Sequence, residues 1–215
     1  MENTAPQAPQ NEMPEEFMNG GDKKRRTMLT LTVILLVCAI AACIWVFVHQ
    51  NGTAKADEKI ALADIEQNDS VATTLYAEAA KAGYKSGNRA KVEMGIRLFR
   101  QGKYEEAIKY LDDASIDDNI VAAGVEALKG DCYVNLQQLD KALGCYDDAI
   151  SEADENPQIV PLMLIKKANI FREQKNYAAE AKAYKAILDD YPRYAQGSQT
   201  DIRKYYERAE AQAEK

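Results

Sequence analysis

Histidine is almost missing from this chain, with His49 the one imidazole in 215 residues. A Ser-His or Cys-His catalytic centre, or a histidine-bound zinc, therefore has no side chain to build on beyond the edge of the apolar run that ends at Val48. Phosphate-cradling motifs are missing as well: the chain holds no GxxxxGK(S/T), and no GxGxxG opening a helix after a strand. Cysteine occurs four times, never as a CxxC pair or at Cys/His metal spacing. Basic excess is absent, since 27 Lys and Arg face 34 Asp and Glu for a net charge of −7. That balance offers no electrostatic footprint for nucleic acid. The adjacent acids Glu105-Glu106, Asp112-Asp113, Asp117-Asp118, Asp147-Asp148 and Asp189-Asp190 do not form an acid/base couple, because neighbours on a helix point about 100° apart. They read as solvated faces. The expectation is a non-catalytic protein that uses neither cofactor nor metal.

What the chain does have is one long apolar run. From Met28 to Val48 no residue is charged, and 21 residues at 1.5 Å each span about 31 Å, the thickness of a bilayer core. Lys23, Lys24, Arg25 and Arg26 stand immediately before it, with only His49 and Lys55 close after it. The positive-inside rule places residues 1–26 in the cytoplasm and residues 50–215 across the membrane, with the span itself at 27–49 and Trp45 near the exit interface. A cleaved signal peptide fits less well, because the run is long and His49-Gln50-Asn51-Gly52 is a poor cleavage site. Lipidation at Cys43 is the other alternative, since Ile40-Ala41-Ala42-Cys43 has lipobox character, but the apolar run continues past it to Val48. Cys38 and Cys43 then act as small hydrophobes. The tail 1–22, with three prolines and several Asn and Gln, is expected to be disordered.

Beyond the span, residues 50–87 are helix-permissive and read either as a stalk or as part of an incomplete hairpin. Asp69 or Ser70 caps a helix whose apolar face is Leu75, Tyr76, Ala79 and Ala80. A repeating pattern follows over 88–197. Gly95, Leu98, Gly102, Tyr104, Ala107, Leu111 and Ala114 are echoed 35 residues later by Gly130, Tyr133, Leu139, Ala142, Tyr146 and Ala149. After 38 more residues come Ala168, Phe171, Tyr177, Tyr184, Ile187 and Pro192. A period near 34 with small and aromatic punctuation marks stacked helical hairpins, which bury their apolar faces on one another. Residues 198–215, with Ile202, Tyr205, Tyr206 and Ala209 on one face, are the expected polar-backed cap. Cys132 and Cys145 are offset about the turn near Gln137 and are expected as packed free thiols.

These positions resemble the tetratricopeptide repeat. The resemblance implies an all-α solenoid of three helical hairpins behind one transmembrane helix, and a protein-binding role. It also marks departures: Glu180 stands where alanine is usual, and Lys129 and Lys167 where an apolar residue is usual, which points to looser or rotated packing there. In that pattern the first helix of each hairpin lines a concave groove. The groove positions are Arg89, Val92, Ile96, Phe99 and Arg100; then Ala127, Asp131, Val134 and Asn135; then Leu162, Ile165, Asn169 and Arg172. Arginines there can hold carboxylates and amides can read a peptide backbone. The lysine/asparagine clamp of some cytosolic members is not reproduced, because Ile165 occupies its lysine position although Asn169 matches. The layout as a whole, with the runs Gly83–Lys91 and Gly130-Asp131-Cys132-Tyr133, is similar to the YfgM-like membrane-anchored periplasmic proteins in their Bacteroidetes form. That likeness implies an inner-membrane accessory of the Sec translocon beside a periplasmic chaperone. A scaffold for an envelope or cell-division complex, and a regulator acting through the tail, are the alternatives.

Overall fold

The structure is a computed structural model whose described residues are 16–215, with side chains described from Lys24 onward except at positions 49–51 and 84. Every regular element among the described residues is helical. The chain divides into two compact units, Met1–Asn51 and Gly52–Lys215, taken separately below.

The first unit is the apolar part of α1 (Glu16–Ile65). Its large side chains face outward, Leu35 being 69% and Phe47 66% exposed, as suits a helix whose surroundings are apolar rather than aqueous. The hydroxyls of Thr27, Thr30 and Thr32 donate to the carbonyls of Lys24, Thr27 and Leu29, which removes the cost of carrying them into an apolar medium. This one helix is long and apolar enough to cross a membrane. Residues 16–22, expected within the disordered tail, are the first turns of α1. Extending a helix costs far less than starting one, so the apolar segment carries them along. The rest of that tail lies outside the described residues.

In the second unit, Gly52–Ile65 of α1 and α2 (Asp69–Ala79) make a hairpin in which Ala56, Ile60 and Ala63 bury against Ala72, Tyr76 and Ala79. The turn is capped by Asn68, whose side chain accepts from the Ser70 and Val71 amides. Six helices then alternate: α3 (Tyr84–Arg100), α4 (Tyr104–Asp112), α5 (Asn119–Asn135), α6 (Leu139–Glu152), α7 (Ile159–Glu173) and α8 (Tyr177–Asp190). Short α9 (Pro192–Gly197) and α10 (Ile202–Ala213) complete the order. Sequential helices pack on one another as far as α8, and α10 folds back onto α8, so the domain is an all-α solenoid whose core is a row of clusters along its length.

The periodicity has a backbone cause. Each turn inside a hairpin is made by one left-handed residue: Gly102 (φ 75), Gln137 (φ 58) and Lys175 (φ 59). In each, the next amide donates back to the last turn of the helix, Lys103 to Leu98 at 2.9 Å, Gln138 to Tyr133 at 2.9 Å and Asn176 to Phe171 at 2.8 Å. This is the helix-ending motif that glycine serves without strain, and two of the three copies use a residue with a Cβ instead. Small residues set the helix approach. A Cβ on Gly95 would lie 2.5 Å from Leu111, and one on Gly130 would lie 2.4 Å from the Tyr146 ring.

The departures from the repeat pattern do not loosen the packing. Lys91, Lys129 and Lys167 lay their stems along the helix surface and give their ammonium groups to acids of a neighbouring helix. Lys91 meets Asp113 at 2.8 Å, Lys129 meets Asp112 at 2.7 Å, and Lys167 meets Asp147. Burial acts to lower the Lys129 pKa, but the carboxylates of Asp112 and Glu126 outweigh it and hold that pKa above the ordinary lysine range. Two of the acid pairs read as solvated faces, Asp112-Asp113 and Asp147-Asp148, thus supply ties between helices. Glu180 is fully buried, and Arg208 of α10 reaches into the core to pair with it.

Candidate functional site

Two clefts open among the repeat helices, and α5 contributes to both. The first, about 350 Å³, has an apolar floor of Val92, Ile116 and Val121 and a rim that includes Lys85, Arg89, Glu93, Asp117 and Asp118. Gly124 stands nearby on α5 with nothing within 4 Å of where its Cβ would be, so this stretch of α5 is open. The second cleft, about 560 Å³, lies between α5, α6 and α7 and is lined by Asp131, Val134, Tyr146, Lys166, Asn169, Ile170, Arg172 and Glu173.

A polar triad fixes the second cleft. Tyr146 donates its phenolic proton to Asp131 at 2.6 Å, and Lys166 bonds the same carboxylate oxygen at 2.5 Å while its ammonium stands 5.6 Å from the Tyr146 ring centre. Burial, and then the hydrogen bond to Asp131, push the Tyr146 phenol far above its ordinary range, so it stays a neutral donor. The Asp131 carboxylate is therefore satisfied from within the protein. Asn169 and Arg172 are exposed, and among the described residues their side chains make no hydrogen bond or ion pair, which leaves their donors available to another molecule.

Six of the anticipated groove residues line the clefts: Arg89 and Val92 the first, and Asp131, Val134, Asn169 and Arg172 the second. Of these, Arg89 is already engaged, its guanidinium bonding Asp64 at 2.9 Å. The others are placed differently. Phe99 is half-buried against the first core cluster, with its ring edge-on to Tyr104 at 5.6 Å. Ile165 packs into the cluster around Ala168 and Tyr184. Asn135 spends its amide on the Asp131 backbone carbonyl at 2.8 Å. Ile96 is half-buried, while Arg100 and Leu162 are exposed outside both clefts.

Lys166, Tyr146 and Glu173 enter the second cleft without having been singled out from the sequence. Lys166 had a signal, lying one helical turn before Asn169 on the same face. Tyr146 did not, because its repeat position marks it as packing, and only its hydroxyl reaches the cleft. The thiols of Cys132 and Cys145 are free and buried. Burial above all pushes both up to about 11, so they are unreactive packing groups at neutral pH.

The Tetratricopeptide repeat family profile matches residues 92–158 and again residues 127–195. No curated protein matches the chain. Hairpins of this kind typically serve as non-enzymatic protein-binding units. Residues 92–195 thus match the tetratricopeptide repeat, a kind of hairpin that typically serves protein interaction, and a helix long and apolar enough to cross a membrane precedes them.

Proposed function

We propose that this chain is a single-pass inner-membrane protein that holds its repeat groove in the periplasm and serves protein export as a binding accessory of the Sec translocon and an envelope chaperone. The observation that carries the reading is the uncharged stretch Met28–Val48. Its large side chains are exposed, and Lys23–Arg26 precede it as a cytoplasmic anchor would require. Tethering raises the effective concentration of the groove for any chain emerging nearby, so weak contacts suffice. Free Asn169 and Arg172 supply donors for such contacts.

Photo-cross-linking in intact cells tests this. A photoreactive residue replaces Asn169, and another replaces exposed Lys215 as control. The expected result is adducts with a translocon subunit or a periplasmic chaperone from position 169 alone. A single stoichiometric partner of another kind would favour the scaffold reading. A position-169 pattern identical to the control would overturn the accessory role.

A further inference from the structure

The turn between α1 and α2 carries a motif that neither the repeats nor the clefts use. Asn68-Asp69-Ser70 has the Asn-x-Ser/Thr spacing of an N-glycosylation acceptor, with no proline in the middle. Asn51-Gly52-Thr53 has the same spacing, and the two copies sit in opposite settings. Asn51 lies inside helix α1, three residues after Val48. Residues i and i+2 of a helix point to different sides, so its amide and the Thr53 hydroxyl cannot be gripped together. Asn68 lies in an exposed turn 20 residues after Val48, with extended backbone (φ −83, ψ 108).

The turn leaves free the two groups that the motif needs. The Asn68 Oδ1 accepts from the Ser70 amide at 3.0 Å and the Val71 amide at 3.3 Å, which folds the carboxamide back toward Ser70. The Asn68 backbone amide donates to Glu66 at 2.8 Å, and Asp69 pairs with Arg97. Among the described residues, the Asn68 Nδ2 and the Ser70 hydroxyl make no hydrogen bond, and both residues are exposed. Leu62, Ile65 and Val71 near the turn are 48%, 76% and 45% exposed, an apolar surface beside which a sugar chain has a solubilising use.

We propose that Asn68 is an N-glycosylation site, its side-chain amide the acceptor for an oligosaccharide carried on a polyisoprenyl pyrophosphate. In the transfer, Nδ2 bonds to C1 of the first sugar and the bond from C1 to the pyrophosphate oxygen breaks. The lipid pyrophosphate leaves with that electron pair, the Nδ2 proton passes to a base of the transferase, and nothing is oxidised or reduced. The product keeps Oδ1, so the cap on the Ser70 and Val71 amides survives the modification. Residues 66–71 line neither cleft, so both stay open. This rests on the reading that puts residues 50–215 outside the cytoplasm, the side on which such lipid-linked donors are used.

The test purifies the full chain from its own membranes and reads the peptide that contains Asn68 by mass spectrometry. The expected result is a glycan on Asn68 in the unaltered chain. Ser70→Ala removes the hydroxyl but leaves the capping asparagine, and it is expected to lose the glycan. Ser70→Thr is expected to keep it. Asn68→Asp retains a capping side chain and is expected to lose the glycan while circular dichroism stays unchanged. A bare Asn68, a sugar on the Ser70 oxygen or on Asn51 instead, or a glycan that survives Ser70→Ala would overturn the inference. Sidedness is read separately, by labelling Lys215→Cys in spheroplasts with a membrane-impermeant maleimide. A labelled chain with a bare Asn68 overturns the inference alone. An unlabelled chain overturns the placement outside the cytoplasm, and the inference with it.

Discussion

Repeats two and three solve the same packing problem with opposite chemistry. In repeat two, Gly130 lies under Tyr146 and Ala142 fills the small position on the second helix, both fully buried and without polar atoms in their side chains. In repeat three the matching positions are Ala168, Tyr184 and Glu180, and the buried carboxylate has no counterpart in the hairpin. Its partner comes from outside. Arg208 of α10 bonds Glu180, stacks over Tyr205 at 4.9 Å, and Tyr205 in turn stacks on Tyr184 at 5.8 Å. The difference shows that an inner repeat can be self-contained, whereas the last one uses a buried charge to select the helix that covers it. An apolar residue at Glu180 would accept many caps. The carboxylate accepts one that delivers a cation to that point.

The largest effect expected from breaking this contrast is asymmetric. Arg208→Met leaves Glu180 buried without its partner and is expected to cost about 3 kcal/mol in chemical denaturation. Glu180→Ala should cost less, about 1–2 kcal/mol, because Arg208 is one-third exposed and can turn to water. The double variant should recover most of the loss, restoring the alanine found in the other repeats. Equal costs for the two single variants would mean that the pair does not select the cap.

A smaller effect separates crowded from open glycines. Gly130→Ala forces a methyl against the Tyr146 ring, which Asp131 holds in place, and should destabilise by about 1–2 kcal/mol. Gly124→Ala, on the same helix with open space around it, should stabilise by about 0.5–1 kcal/mol through helix propensity. Thermal melts of the two variants check the sign. The smallest effect belongs to the ties between helices. Lys167→Ala should change stability by less than about 1 kcal/mol, because Asp147 is mostly exposed and returns to water. A larger loss would make these lysines part of the core rather than its edge.

The groove was half legible. Residues whose repeat position alone aims them inward, such as Val92, Asp131, Val134, Asn169 and Arg172, reach the clefts. Phe99 and Ile165 do not, because on a curved stack the same helical position faces either the groove or the next helix, and large apolar side chains are drawn to the buried option. Arg89 and Asn135 spend their donors within the chain, Arg89 on Asp64, which only the fold brings close, and Asn135 on the Asp131 carbonyl one turn back.

The apolar helix and the hairpin period follow from the chain's own order of residues. Each depends on interactions within about one helical turn or on a composition that water rejects, and such forces act the same way in any context. The fates of Glu180, Lys166 and Lys167 do not follow in this way. Their partners Arg208, Asp131 and Asp147 lie 28, 35 and 20 residues away, and whether a charge is tolerable depends on which partner stands within about 3 Å and how much water remains. Those two quantities exist only after the helices have stacked, so tertiary structure alone decided how this solenoid is tied together and capped.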